Sequence, residues 1–303
     1  MTKLFHRDAV DTETFPHPKD EMWKYTNLRK GLPKTLTNID ENEITIHVKK
    51  GEALKNVLNF SGQDSVEHRI RLRIIVEENA DLVLTEKYTG EGAYWTNMIT
   101  DIALHPSARF KHIRTQEESK ESLHTNIVYI QQDKLSCYSS ISINKGAKMS
   151  RHDVYLVLQG EYAECTLNGL NILYDKQHAD TTINVEHQVA NCTSKQFYRS
   201  VLKDWSVGVF QSKSHVYKKA QKTNAKQMSN ALLLSPTATM NTKPELEIFA
   251  DDVECAHGAT TGQLNEEQLF YLRSRGIPEE EATSLLVDAF IAEVLDGWGD
   301  LSV

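Results

Sequence analysis

The chain has 303 residues, 34 Lys+Arg against 42 Asp+Glu for a net charge of −8, and 40% hydrophobic against 25% charged residues. That balance excludes wholesale disorder, and 14 glycines and 7 prolines exclude collagen-like and Gly/Ser-linker architectures. The acidic sign argues against nucleic acid as the main partner, and no run of about 18 apolar residues offers a membrane span.

The first residues, Met1–Asp8, show no apolar core of a secretory signal. None of Cys137, Cys165, Cys192 and Cys255 forms a C-x-x-C pair, which speaks against a zinc ribbon or a thioredoxin-type motif. A reducing, cytoplasmic compartment is expected.

Residues 1–35 read as a polar, irregular N-terminal segment with Pro16, Pro18 and Pro33. Its cluster Glu21-Met22-Trp23-Lys24-Tyr25-Thr26 is expected to anchor the segment onto the body through its aromatics.

Residues 36–262 have a strand texture. Ile44–Val48, Ile70–Val76, Leu82–Leu84, Ile141–Ile143, Val154–Leu158, Thr181–Val185 and Ser214–Tyr217 alternate with period two and are rich in β-branched residues. No amphipathic helix of useful length interrupts them, which argues against βαβ units. A weak repeat of a turn residue, Ala and a polar residue precedes new strands. It occurs at Asn79-Ala80-Asp81, Ser107-Ala108-Arg109, Gly146-Ala147-Lys148, Tyr162-Ala163-Glu164 and His178-Ala179-Asp180. Ala147, Ala163 and Ala179 are 16 residues apart. A step in the mid-teens suits a coil or half-coil of a parallel β-helix, with a β-sandwich as the alternative. Scarce Gly and Pro leave the corners to other residues. Among 17 asparagines, Asn79, Asn144, Asn168 and Asn184 are expected there, since Asn tolerates the left-handed region.

Residues 263–303 read as a helical region. Asn265 is a candidate N-cap with Gln268 three residues on, and Gly276 a stop. Pro278 opens a second helix whose apolar face runs through Ala282, Leu285, Leu286, Ala289, Phe290 and Val294, with Gly297 ending it.

No nucleotide-binding loop, nucleophile elbow or H-E-x-x-H motif is present. His152-Asp153 reads as a surface pair without function. The richest stretch is Pro244–Leu264. As a strand it would point Cys255 and His257 the same way, with Asp251 sharing their parity. A thiolate and an imidazole on one face are half of an iron or zinc site, and further ligands must come from elsewhere, including another chain.

The run Leu246–Arg275 strongly resembles the signature of the SufB/SufD family of the SUF iron–sulfur cluster assembly system. Further matching elements are Glu21–Thr26, Leu167–Leu170, Gln177–Asp180, Gly208–Phe210, Ala220–Ala225, Leu232–Ser235 and Lys243–Glu247. The Cys255-Ala256-His257-Gly258-Ala259-Thr260 segment is closer to the SufD branch. The resemblance implies a right-handed parallel β-helix core flanked by helical regions. It implies a non-catalytic scaffold subunit that pairs with a SufB-like subunit as a heterodimer, or with itself as a homodimer, and docks a SufC-like ATPase through its C-terminal helices. His257 and Cys255 would help hold transient iron or a nascent iron–sulfur cluster shared with the partner subunit, with no cofactor permanently bound. Neither nucleic acid nor membrane is implied as a partner. Ala256 stands where Ser is common in the family. Little precedes the Trp23 element, so the usual N-terminal helical region is expected to be largely missing, and the helix to have fewer rungs. Cys137, Cys165 and Cys192 are expected to be buried structural cysteines. A β-helix enzyme acting on glycans is the alternative from another class; it would need catalytic acids stacked along one exposed sheet, and none stands out.

Overall fold

The computed structural model describes residues 19 and 21–299. The reading of residues 1–18, with Pro16 and Pro18, lies outside them. A 3-10 turn, Glu21–Trp23, leads into α1 (Leu28–Gly31). The first half of the body holds β1 (Asn38–Val48), β2 (Ala53–Gly62), β3 (Val66–Val76), β4 (Asp81–Gly90), β5 (Trp95–Leu104), β6 (Arg109–Glu117), β7 (Leu123–Gln132) and β8 (Cys137–Asn144). The second half holds β9 (Met149–Leu158), β10 (Glu164–Leu173), β11 (His178–His187), β12 (Thr193–Leu202), β13 (Val207–Val216), β14 (Asn224–Leu233), β15 (Thr239–Ile248) and β16 (Glu254–Gly262). Two helices follow, α2 (Glu266–Ser274) and α3 (Glu279–Leu295).

Odd strands stack in order into one 8-stranded sheet and even strands into another. The paired neighbours run parallel, as β1 on β3 and β14 on β16. The chain therefore winds as a parallel β-helix of eight coils, each contributing one strand to each sheet. Glu67 pairs with Trp95 and Trp95 with Leu123, so a coil takes 28 residues there. The mid-teens step of the sequence repeat is the half-coil.

Corners explain how the chain turns with so little glycine. Entering the even strands, Gly51, Asn79, Ser107, Leu135, Tyr162, Asn191 and Lys222 all have φ between 57 and 72°. The side chain after each corner from Asn79 onward is small and buried: Ala80, Ala108, Ser136, Ala163, Cys192 and Thr223. Left-handed geometry costs an L-residue roughly 1–2 kcal/mol. Stacking holds it in place, because the Asn79, Ser107 and Leu135 N–H groups each donate to the next coil, at 3.1, 2.9 and 3.0 Å. Of the asparagines expected at corners, Asn79 is one. Asn168 and Asn184 lie inside β10 and β11, and Asn144 ends β8. Position in the stack, more than residue type, imposes the turn.

The lumen is filled by inward-facing residues such as Ile46, Leu72, Ile74, Leu84, Val128, Leu156 and Val185. Both sheets are also covered outside. Trp23 and Leu28 pack on Trp95, Ile99, Leu123 and Met149 of the odd sheet. The Arg151 guanidinium lies 3.7 Å from the Trp23 ring centroid, and Thr26 donates to Asp180. Ile291, Val294 and Trp298 pack on Ile113, Ile143, Leu170 and Val201 of the even sheet.

Asn265 Oδ1 accepts from the Gln268 N–H at 3.0 Å and caps α2 as expected. Gly276 and Gly297 take φ of 85 and 78° at the helix ends. The apolar face of α3 differs from expectation. Ala282 and Val294 are buried, but so is Ile291, whereas Leu285 and Ala289 face solvent. Only the C-terminal half of α3 meets the sheet. α2 has no buried residue, and Phe270 and Tyr271 are exposed. Among the described residues no helix is long and apolar enough to cross a membrane.

Candidate functional site

The stretch Pro244–Leu264 is two strands and a bend, not one strand. β15 ends at Ile248, and β16 begins at Glu254. Asp251 lies in the connecting bend, outside any alternation with Cys255 and His257, so the shared parity expected for it does not exist.

Cys255 and His257 do share a face. In the register of β16 on β14, Cys255 pairs with Ala225, His257 with Gln227 and Ala259 with Ser229. Those three β14 residues are buried in the lumen. Side chains directly opposite in a parallel ladder point the same way, so Cys255 and His257 belong to the luminal face. β16 is the last strand of its sheet, and among the described residues no further coil stacks on it. The result is an open mouth: Cys255 is half-buried beside Val216, Ala220 and Ala250, while His257 is exposed. Burial raises the Cys255 thiol pKa above its ordinary value, an effect partly opposed by a hydrogen bond from the Ala225 backbone. Metal binding there would have to displace a proton.

On the other side of the mouth, Leu246 and Ile248 of β15 pair with the luminal residues Ser214 and Val216 of β13. Ile248 and its neighbour Phe249 are exposed. Among the described residues no group of three His, Cys, Asp or Glu side chains could hold a metal ion. Cys255 and His257 thus place one thiol and one imidazole on an open, partly apolar end of the lumen.

A polar column runs beneath this mouth, unannounced by the sequence. Gln227 Nε2 donates to Ser214 Oγ at 2.8 Å, Ser212 Oγ donates to Gln196 Oε1 at 2.6 Å, and a His187 ring nitrogen lies 2.8 Å from Ser194 Oγ. Deeper inside, Glu86 is fully buried. It accepts from Arg114 Nε at 3.0 Å and from Tyr88 at 2.6 Å, and lies 3.0 Å from His112 Nε2. Burial alone would raise the Glu86 pKa, but His112 and Arg114 outweigh it and hold the group near about 2. Arg114 also reaches His152 at 2.9 Å, and His124 pairs with Glu118 at 2.7 Å.

His152 and Asp153 are not the surface pair expected. His152 faces the lumen at Arg114, and Asp153 points outward, buried against Arg151 at 2.8 Å. They lie on opposite faces and cannot act together. Of the remaining cysteines, Cys165 and Cys192 are buried and Cys137 is half-buried, and all four are free thiols.

Residues 59–290 match the family model described as SUF system FeS cluster assembly, SufBD core domain. The chain is 38% identical over 236 residues to an iron–sulfur cluster assembly SufBD family protein of Synechocystis, covering 75% of this chain and 52% of that protein. It is 33% identical over 267 residues to the chloroplastic protein ABCI7 of Arabidopsis thaliana, covering 84% and 56%. It is 28% identical over 305 residues to the iron–sulfur cluster assembly protein SufD of Escherichia coli, covering 97% and 67%. The chain thus spans just over half the length of the first two relatives. With the model matched across most of the β-helix and into α3, the chain belongs to the SufBD family of the SUF iron–sulfur cluster assembly system.

Proposed function

We propose that the chain acts as a SufD-like, non-catalytic scaffold subunit whose open C-terminal end completes a nascent-cluster site together with a partner subunit. The observation that carries this reading is the pairing of Cys255 and His257 on the luminal face of a terminal strand, with no third donor among the described residues. Iron and sulfide are cargo here. A single thiolate and imidazole hold iron weakly enough for the cluster to leave, provided the other ligands come from the partner.

The partner is a SufB-like subunit, or a second copy of this chain, seated on the terminal edges of β15 and β16. Exposed Ile248 and Phe249 beside the mouth favour such contact, and unpaired strand edges need covering. The bare α2 face with Phe270 and Tyr271 is the docking surface for a SufC-like ATPase.

Affinity purification of the tagged chain from its native lysate, followed by iron and sulfide analysis, tests the reading. SufB-like and SufC-like subunits should co-purify, and His257→Ala should lower cluster yield without loss of the complex. Normal cluster assembly by the His257→Ala complex would sink the ligand role.

A further inference from the structure

A groove of about 1330 Å³ runs along one edge of the β-helix. One wall is α1 and the segment that follows it; the other is the row of corners leading into the odd strands, from Ala93 to Thr237. Those corners belong to six successive coils, β5 to β15. At about 4.8 Å between strands the groove is about 24 Å long, the reach of about seven extended residues. Its volume exceeds the roughly 300–1,000 Å³ typical of small-molecule pockets.

The groove is basic in an acidic protein. Lys30, Lys34, Lys148 and Lys176 are exposed and make no ion pair among the described residues. Two of the acids in the groove are already engaged: Asp175 pairs with Lys120 at 2.7 Å, and Asp204 accepts the Asp175 N–H at 3.1 Å. In the same groove Trp205 is 63% exposed, whereas Trp23, Trp95 and Trp298 are buried. Its backbone N–H is fixed to the Asp175 carbonyl at 2.8 Å, so a bare indole stands on a rigid corner. Exposed, rigidly mounted Trp flanked by cations is the pattern of a binding hot spot.

We infer that this groove binds an extended acidic peptide segment of a partner protein, with one apolar or aromatic side chain seated on Trp205. Nucleic acid fits less well. Trp205 is the single aromatic platform among the lining residues, and one platform cannot stack successive bases. The inference is independent of the metal role of Cys255 and His257.

The probe is a fluorescein-labelled heptapeptide, Asp-Glu-Asp-Phe-Asp-Glu-Asp, titrated with the full chain by anisotropy while Trp emission of the unlabelled pair is followed. Saturable binding is expected, with a shift in emission that disappears in Trp205→Phe. Affinity should fall about tenfold or more in the triple variant Lys34→Glu, Lys148→Glu, Lys176→Glu, and several-fold between about 50 and 300 mM salt. All four positions are exposed, and unchanged circular dichroism confirms that the variants fold. No saturation by about millimolar protein, equal binding of a Lys-for-acid peptide, or indifference to the triple variant overturns the inference. Tighter binding of single-stranded oligothymidine than of the peptide overturns the peptide assignment.

Discussion

His257 stacks directly on Gln227 in the register of β16 on β14, and Gln227 Oε1 is a buried acceptor with no hydrogen-bond partner among the described residues. Its Nε2 is committed to Ser214 Oγ at 2.8 Å. An imidazole that ligates a metal through one nitrogen is oriented by an acceptor at the other. On the proposed ligand role of His257, Gln227→Leu with His257 intact should weaken metal retention at the mouth about 10- to 100-fold. Equilibrium titration of the purified complex with ferrous iron, read alongside its melting temperature, separates this effect from general destabilisation. Unchanged affinity would show that Gln227 does not orient the ring.

The buried Glu86–Arg114 pair makes a stability prediction. Arg114→Met leaves Glu86 ionised or forces its protonation, with only His112 and Tyr88 nearby. Removing one partner of a buried pair costs about 3–5 kcal/mol. The double variant Glu86→Leu, Arg114→Met should recover much of that loss, because no buried charge is left. Urea midpoints of the two variants and the parent decide the point.

The sequence made legible what depends on alternation against one solvent-facing side. The strand around Ile70–Val76 and the caps of α2 could be read directly. β5 and β7 could not, because the N-terminal segment covers their outer face and Trp95–Thr100 and Leu123–Ile130 are buried on both sides. The luminal polar column was hidden for the opposite reason. Gln196, Ser212 and Gln227 are polar side chains that nothing in the alternation marks as internal, and only the closure of the coil turns them inward. At the site, Cys255 and His257 carried their spacing into a real shared face, whereas Asp251 fell in a bend that spacing could not foresee.

Acid should weaken the fold before its carboxylates titrate. Burial lowers the His187 pKa from an ordinary 6.5 to about 4. Burial and the nearby Arg114 depress His152 well below its ordinary value too. Above about pH 6.5 neither the folded nor the unfolded chain binds these protons. As pH falls from 6.5 towards 4, the unfolded chain takes them up and the folded chain does not, so stability falls by about 1.4 kcal/mol per unit for each group fully in that window. Glu86, held near about 2, contributes a further loss only between about pH 4.5 and 2. Denaturation curves at pH 7, 6 and 5 should show the decline, and His187→Gln should flatten it. A parent chain with constant stability from about pH 7 to 5 would contradict this origin.

The corner at Leu135 makes the last prediction. Its φ is 60°, its side chain is 53% exposed, and its N–H donates to the Glu161 carbonyl at 3.0 Å. The side chain therefore contributes little packing while the backbone carries the left-handed penalty. Leu135→Gly removes about 1–2 kcal/mol of that penalty and adds about 0.5–1 kcal/mol of unfolded-state entropy. A net gain of about 0.5–1 kcal/mol is expected, seen as a higher urea midpoint with an unchanged slope. Leu135→Val should go the other way, because a β-branched side chain fits the left-handed region worst. If Gly lowered the midpoint and Val left it unchanged, the stacked corners would not be strained, and the stacking account of the turns would need another source of order.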